Sequence, residues 1–124
     1  MKIRIKGNSI RYRLTRPEVK VLSETGRLAE ETRFGPGAAF GYALEARNGL
    51  SQLEATFDGG TITLLVPAEA AKNWYDEERV GFENNTEVAP GTWLHLLLEK
   101  DFACLDNTIE DQSDHYPNPG NICQ

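Results

Sequence analysis

The sequence has no long hydrophobic run. No apolar stretch approaches the ~18–20 residues that a bilayer-spanning helix needs, which excludes that class of membrane protein. No export signal is expected either: Met1-Lys2-Ile3-Arg4-Ile5-Lys6 alternates charge with isoleucine where an apolar segment would be required. A cytoplasmic location is the expectation. Cysteine is scarce, with Cys104 and Cys123 both near the end of the chain. Without an export signal they are expected to stay reduced rather than form a disulfide. No Walker loop, dinucleotide fingerprint, nucleophile elbow or HExxH motif is present, so no cofactor is expected and no catalytic residue is assigned. Cations are absent from the end of the chain, with no lysine or arginine after Lys100.

At 124 residues, with 40% hydrophobic and 26% charged side chains, the chain suits one globular domain with a single core. Its net charge of −6 is unevenly distributed. Lys2, Arg4, Lys6, Arg11, Arg13, Arg16 and Lys20 crowd the beginning, where Glu18 is the only acid. Asp101, Asp106, Glu110, Asp111 and Asp114 follow the last cation. Opposed ends of this kind either pair with each other or serve separate partners. The overall acidity argues against a general nucleic-acid binder.

The chain overlays on itself at an offset of 52 residues, placing Ile10–Leu14 on Ile62–Val66 and Phe40–Leu44 on Thr92–Leu96. Each copy reads as strand, strand, helix, strand, strand. In the first, alternating runs at Lys2–Lys6 and Ser9–Leu14 flank Gly7-Asn8, a hairpin signature. Thr15, Pro17 and Glu18 begin a helix with a capping-box pattern, and Gly26 ends it. Strands over Leu28–Phe34 and Phe40–Arg47 follow. In the second copy, strands over Leu53–Asp58 and Thr61–Val66 flank Gly59-Gly60. A helix over Ala68–Glu77 and strands over Val80–Val88 and Trp93–Lys100 complete it.

This pattern predicts an α+β fold: a mainly antiparallel, strongly curved sheet of about eight strands, both helices on one face, built as a tandem ββαββ duplication. Residues 2–47 form the first unit of the single domain, residues 53–100 the second, and residues 101–124 an irregular acidic tail expected to dock near Trp93 and Leu97. Alternation sends Ile3, Ile5, Tyr12, Leu44, Phe57, Leu64, Leu96 and their like to the core. A charged, concave face is expected opposite, where Glu54 and Asp58 of the second copy would meet the cations of the first.

Two constellations carry chemistry. Lys2, Arg4 and Lys6 on one strand, with Arg11 and Arg13 on its hairpin partner and Arg47 on the same predicted face, form a basic stripe. Adjacent like charges repel unless opposed by acids or an anionic ligand, and arginine's fork matches phosphate or carboxylate. Internal pairing, ligand binding and plain solvation all remain open. In the tail, Cys104, Asp111, Asp114 and His115 are candidate metal ligands, although their spacing matches neither a zinc motif nor a calcium loop. A Cys104–His95 nucleophilic pair is a weaker option, because nothing in the sequence supplies an orienting group.

Two resemblances bear on the fold. The opening Met1–Arg11 and the ending Glu99-Lys100-Asp101-Phe102-Ala103-Cys104-Leu105, with Glu110-Asp111, Asp114 and Pro117-Asn118-Pro119, resemble a bacterial family of small proteins of unknown function. That resemblance covers essentially the whole chain and implies no activity. The predicted sheet also resembles the triphosphate tunnel enzymes, whose eight strands curl around a charged interior. Those open with alternating glutamates, where this chain has Lys2, Arg4 and Lys6, so metal-holding carboxylates would have to come from Glu45, Glu54, Asp58 and Glu99. The primary reading is a non-catalytic binding module that presents the basic face to a small anionic ligand or the acidic tail to a protein partner. The competing reading is a metal-dependent phosphohydrolase, and whether the protein is an enzyme stays open.

Overall fold

The computed structural model describes residues 1–102. In order, the elements are β1 (Lys2–Lys6), β2 (Ser9–Leu14), α1 (Arg16–Thr25), β3 (Arg27–Gly35), β4 (Ala38–Arg47), β5 (Glu54–Asp58), β6 (Thr61–Pro67), α2 (Ala68–Trp74), β7 (Gly81–Ala89) and β8 (Thr92–Lys100). The predicted cap of α1 is present, with the Glu18 carboxylate accepting from the Thr15 backbone N–H at 2.8 Å and from its hydroxyl at 3.0 Å. Gly26, at φ 79°, takes the left-handed position that ends the helix and donates to the Leu22 carbonyl. α2 stops at Trp74, short of the predicted Glu77. Asp76 and Glu77 instead bond back three residues to Asn73 and Trp74. The acids Asp76, Glu77 and Glu78 would sit unfavourably at the negative end of a longer helix.

The strands form two four-stranded sheets, ordered β1-β2-β8-β7 and β3-β4-β6-β5, rather than one curved eight-stranded sheet. Each is mixed: two antiparallel hairpins meet along a parallel seam, β2 with β8 in one and β4 with β6 in the other. The seam explains the departure from the predicted architecture. With β1 on one side of β2 and β8 on the other, no edge is left for β3, so α1 carries the chain across the core to the opposite sheet. α2 does the same between β6 and β7. Each repeat thus gives its first hairpin to one sheet and its second hairpin to the other. The outer strands stay unpaired and the sheets do not curl.

The registers are consistent with the two ββαββ halves and revise their alignment. Lys2 pairs Arg13 as Glu54 pairs Leu65, 52 residues on. Arg27 pairs Glu45 as Gly81 pairs Glu99, but 54 residues on, and the bulges at Arg33/Gly35 and Glu87/Ala89 keep that second offset. The overlay is therefore not gapless. Two extra residues lie in the segment between α2 and β7.

One core fills the space between the sheets. Tyr12, Leu14, Leu96 and Leu98 come from one sheet, and Leu44, Ile62, Leu64 and Val66 from the other. Val19 and Leu22 of α1, with Ala71 and Trp74 of α2, complete it. The Tyr12 hydroxyl crosses between sheets to donate to the Ile62 carbonyl at 3.1 Å. The predicted core residues Ile5 and Phe57 instead stand exposed beside the hairpin turns.

The Met1 ammonium bonds to Glu18 and lies 2.9 Å from the Glu30 carboxylate. Burial by itself would lower the amine, but its bonds to Glu18 and Glu30 reverse this and raise it above the ordinary 8.0. Burial would likewise raise Glu18, yet bonds from the Met1 ammonium and Thr15 hold it below the ordinary 4.5. The amine's contribution is complete below its ordinary value and lost as pH rises through the raised one. The carboxylate's is complete above its ordinary value and lost as pH falls through the lowered one. The melting temperature is therefore expected to be flat between about pH 5 and pH 8 and to fall on either side. Thermal scans to about pH 9.5, below the titration of tyrosine, check this, with Glu18→Gln reducing the alkaline fall.

Candidate anion-binding face

The outer face of the β1-β2-β8-β7 sheet collects the basic stripe. Lys2 lies beside Arg13 and Arg13 beside Glu99, while Arg4 lies beside Arg11 and Arg11 beside Leu97. Lys6 lies beside Ser9, and Ser9 beside His95. Two cation pairs thus face each other directly across β1 and β2, an arrangement that costs stability unless acids or a ligand offset it.

The acids on this face stand on β8 and β7, as Glu99, Glu83 and Glu87, and none lies on β1 or β2. Arg11 Nε and Arg13 Nε approach one carboxylate oxygen of Glu99, at 3.2 and 3.5 Å. Arg11 Nε is buried without an aligned hydrogen bond, so its contact with Glu99 is ionic only. Lys2 Nζ pairs with Asp101 at 3.2 Å. Among the described residues Arg4 and Lys6 form no ion pair. The acids expected to neutralise the stripe, Glu54 and Asp58, lie on β5 in the other sheet. Arg47 is there too, with Nη2 2.5 Å from Glu45 Oε2, so it does not join the stripe.

The same separation removes the tunnel arrangement. Glu45, Glu54 and Asp58 belong to one sheet and Glu99 to the other, and no curled interior brings them together. Among the described residues no group of three or more His, Cys, Asp or Glu is placed to hold a metal ion. The candidates Cys104, Asp111, Asp114 and His115, together with Cys123 and the predicted docking of the tail, lie outside the described residues.

His95 has partners that the sequence did not reveal. Its Nε2 is 2.5 Å from Glu83 Oε2 and its Nδ1 is 3.4 Å from Ser9 Oγ. Glu83 becomes recognisable only once the turn at Pro90-Gly91 fixes the register of β7 against β8. Ser9 requires the parallel seam, which joins residues 86 apart in sequence.

In the stripe Lys2, Arg4 and Lys6 are exposed and Arg11 and Arg13 half-buried. A cavity of about 590 Å³ opens between the Asn48–Leu53 connection and α2, and one of about 340 Å³ is lined by Arg16, Tyr75, Lys100 and Phe102. None of the stripe's five cations lines either cavity.

No curated protein and no solved structure matches this sequence. A family model does, and it covers both the opening and the ending on which the sequence resemblance rests: matched over residues 1–120, the chain belongs to the family of unknown function DUF7009.

Proposed function

We propose that the outer face of the β1-β2-β8-β7 sheet binds a small polyanion, with Arg4, Lys6 and Arg11 as its principal contacts and Arg13 behind them. The observation that carries this reading is the imbalance of charge on the β1-β2 hairpin, whose five cations have no acid on either of its strands. Two arginines share Glu99, and Arg4 and Lys6 have no acid among the described residues. Cations two residues apart on a strand are separated by about 7 Å, and those on neighbouring strands by about 5 Å. That spacing fits a ligand with several negative groups, such as a di- or triphosphate, and the arginine forks supply paired donors.

Inorganic triphosphate is the probe. The melting temperature of the full chain is expected to rise with the logarithm of triphosphate concentration. Arg4→Gln should weaken binding roughly tenfold, the loss expected for a charge-assisted contact. The ligand-free variant should be as stable as the parent or slightly more so, because Arg4 opposes only Arg11. No thermal response at millimolar triphosphate would overturn the reading. So would an Arg4→Gln protein that loses stability while keeping full affinity.

A further inference from the structure

Five of the eight large apolar side chains exposed among the described residues gather at one end of the molecule: Ile5, Phe34, Phe57, Val88 and Trp93. The topology defines that end. α1 links the end of β2 to the start of β3, and α2 links β6 to β7, so both crossovers lie at one pole and pack together, Ser23 Oγ donating to the Ala71 carbonyl at 2.8 Å. The four hairpin turns occupy the opposite pole. Two hairpins overhang there, because β4 meets β6 only from Gly41 onward and β8 meets β2 only from His95 onward.

The exposed residues follow the internal repeat. Ile5 and Phe57 are 52 apart, each two residues before a glycine turn, and Phe34 and Val88 are 54 apart, each at a strand bulge. The charges beside them follow it with opposite sign. Lys6 of the first repeat corresponds to Asp58 of the second, and Arg33 corresponds to Glu87. The pole therefore has apolar residues at its centre, with Trp93 beside them on the outer sheet face. Cations lie along the β1 and β3 edge, where Arg33 also meets Glu31 at 2.7 Å, and anions along the β5 and β7 edge.

Such a surface complements itself. Turning a second copy by half a turn sets cations over anions and apolar residues over apolar residues, which is the requirement for a closed, isologous contact. We infer that two copies of this chain associate through their hairpin poles, with Lys6 of each copy facing Glu87 of the other and Arg33 facing Asp58.

The exposed area is sufficient for a modest affinity. Phe34, Phe57 and Trp93 are 73%, 69% and 51% exposed, which at roughly 200 Å² per aromatic side chain leaves about 400 Å² on each copy. Ile5 and Val88, each about half exposed, bring the buried total for a pair to about 1,100 Å², the lower limit for a specific interface. The association should be micromolar rather than nanomolar.

Sedimentation velocity on the full chain, from about 1 to about 300 µM without phosphate, tests this. A reversible monomer–dimer equilibrium is expected. Phe34→Asp with Phe57→Asp should weaken it at least ~30-fold while leaving circular dichroism unchanged. Asp58→Lys alone should weaken it roughly tenfold, and adding Arg33→Asp to that variant should restore it, since the two reversals re-create the facing pair. A monomer at every concentration overturns the inference. So does a dimer indifferent to Phe34 and Phe57, or one that the double reversal fails to restore.

Discussion

Replacing Trp74 by alanine is expected to remove about 3–5 kcal/mol of stability, the range for truncating a buried large aromatic side chain. Trp74 is fully buried at the end of a helix of only seven residues, too short to be stable without tertiary packing. Its ring meets Phe82 edge to face at 5.1 Å, and its indole N–H donates to the Arg79 carbonyl at 2.8 Å. Arg79 in turn lies over Phe82 at 4.1 Å. The alanine variant therefore opens a cavity, leaves the Arg79 carbonyl without its partner and loosens the segment that leads into β7. Trp74→Phe keeps much of the packing but loses the indole donor, so it should cost well under half as much. Equilibrium urea unfolding separates the two. An alanine variant within about 1 kcal/mol of the parent would show that Trp74 does not organise this half of the core.

Much of the fold was legible from local patterns. Gly7-Asn8, Gly59-Gly60, Pro36-Gly37 and Pro90-Gly91 mark turns, and alternation on either side of them marks strands. These signals act over a few residues, so each hairpin could be read from its own segment. Pairing between hairpins is a different matter. β2 finds β8 across 86 residues and β4 finds β6 across 20, and nothing in Ile10–Leu14 specifies which hairpin will lie beside it. The two-sheet arrangement, the placement of Arg47 and the His95–Glu83–Ser9 contacts all follow from that pairing and were not readable beforehand. The stripe itself was readable, because Lys2, Arg4, Lys6, Arg11 and Arg13 share one hairpin whose face is set by alternation alone. Ile5 and Phe57 follow the alternation but stand exposed, because alternation gives the side of a sheet and not how far along it the core extends.

The second large effect is expected at Gly81, for steric rather than conformational reasons. A β-carbon built there would lie 2.1 Å from the Leu98 carbonyl oxygen and 3.0 Å from the Glu99 Cα, both backbone atoms that no side-chain rotation can move. The corresponding position in the first repeat is Arg27, which has a side chain and pairs with Glu45 in the same register. The halves differ just before this point. The first passes from helix to strand through Gly26 alone, whereas the second makes a longer detour from Trp74 to Gly81. Contacts hold that detour tightly against β8: Lys100 N donates to the Val80 carbonyl at 2.9 Å, and Lys100 Nζ to the Glu77 carbonyl at 2.6 Å. Gly81→Ala must therefore push β7 away from β8, at a cost of about 2–3 kcal/mol. Gly41→Ala is the control. Its β-carbon would meet the Thr61 hydroxyl oxygen at 2.6 Å, but that group belongs to a side chain able to turn, so the cost should be smaller. Urea unfolding of both variants decides the matter, since equal losses would mean that the approach of β7 to β8 is not what requires glycine at position 81.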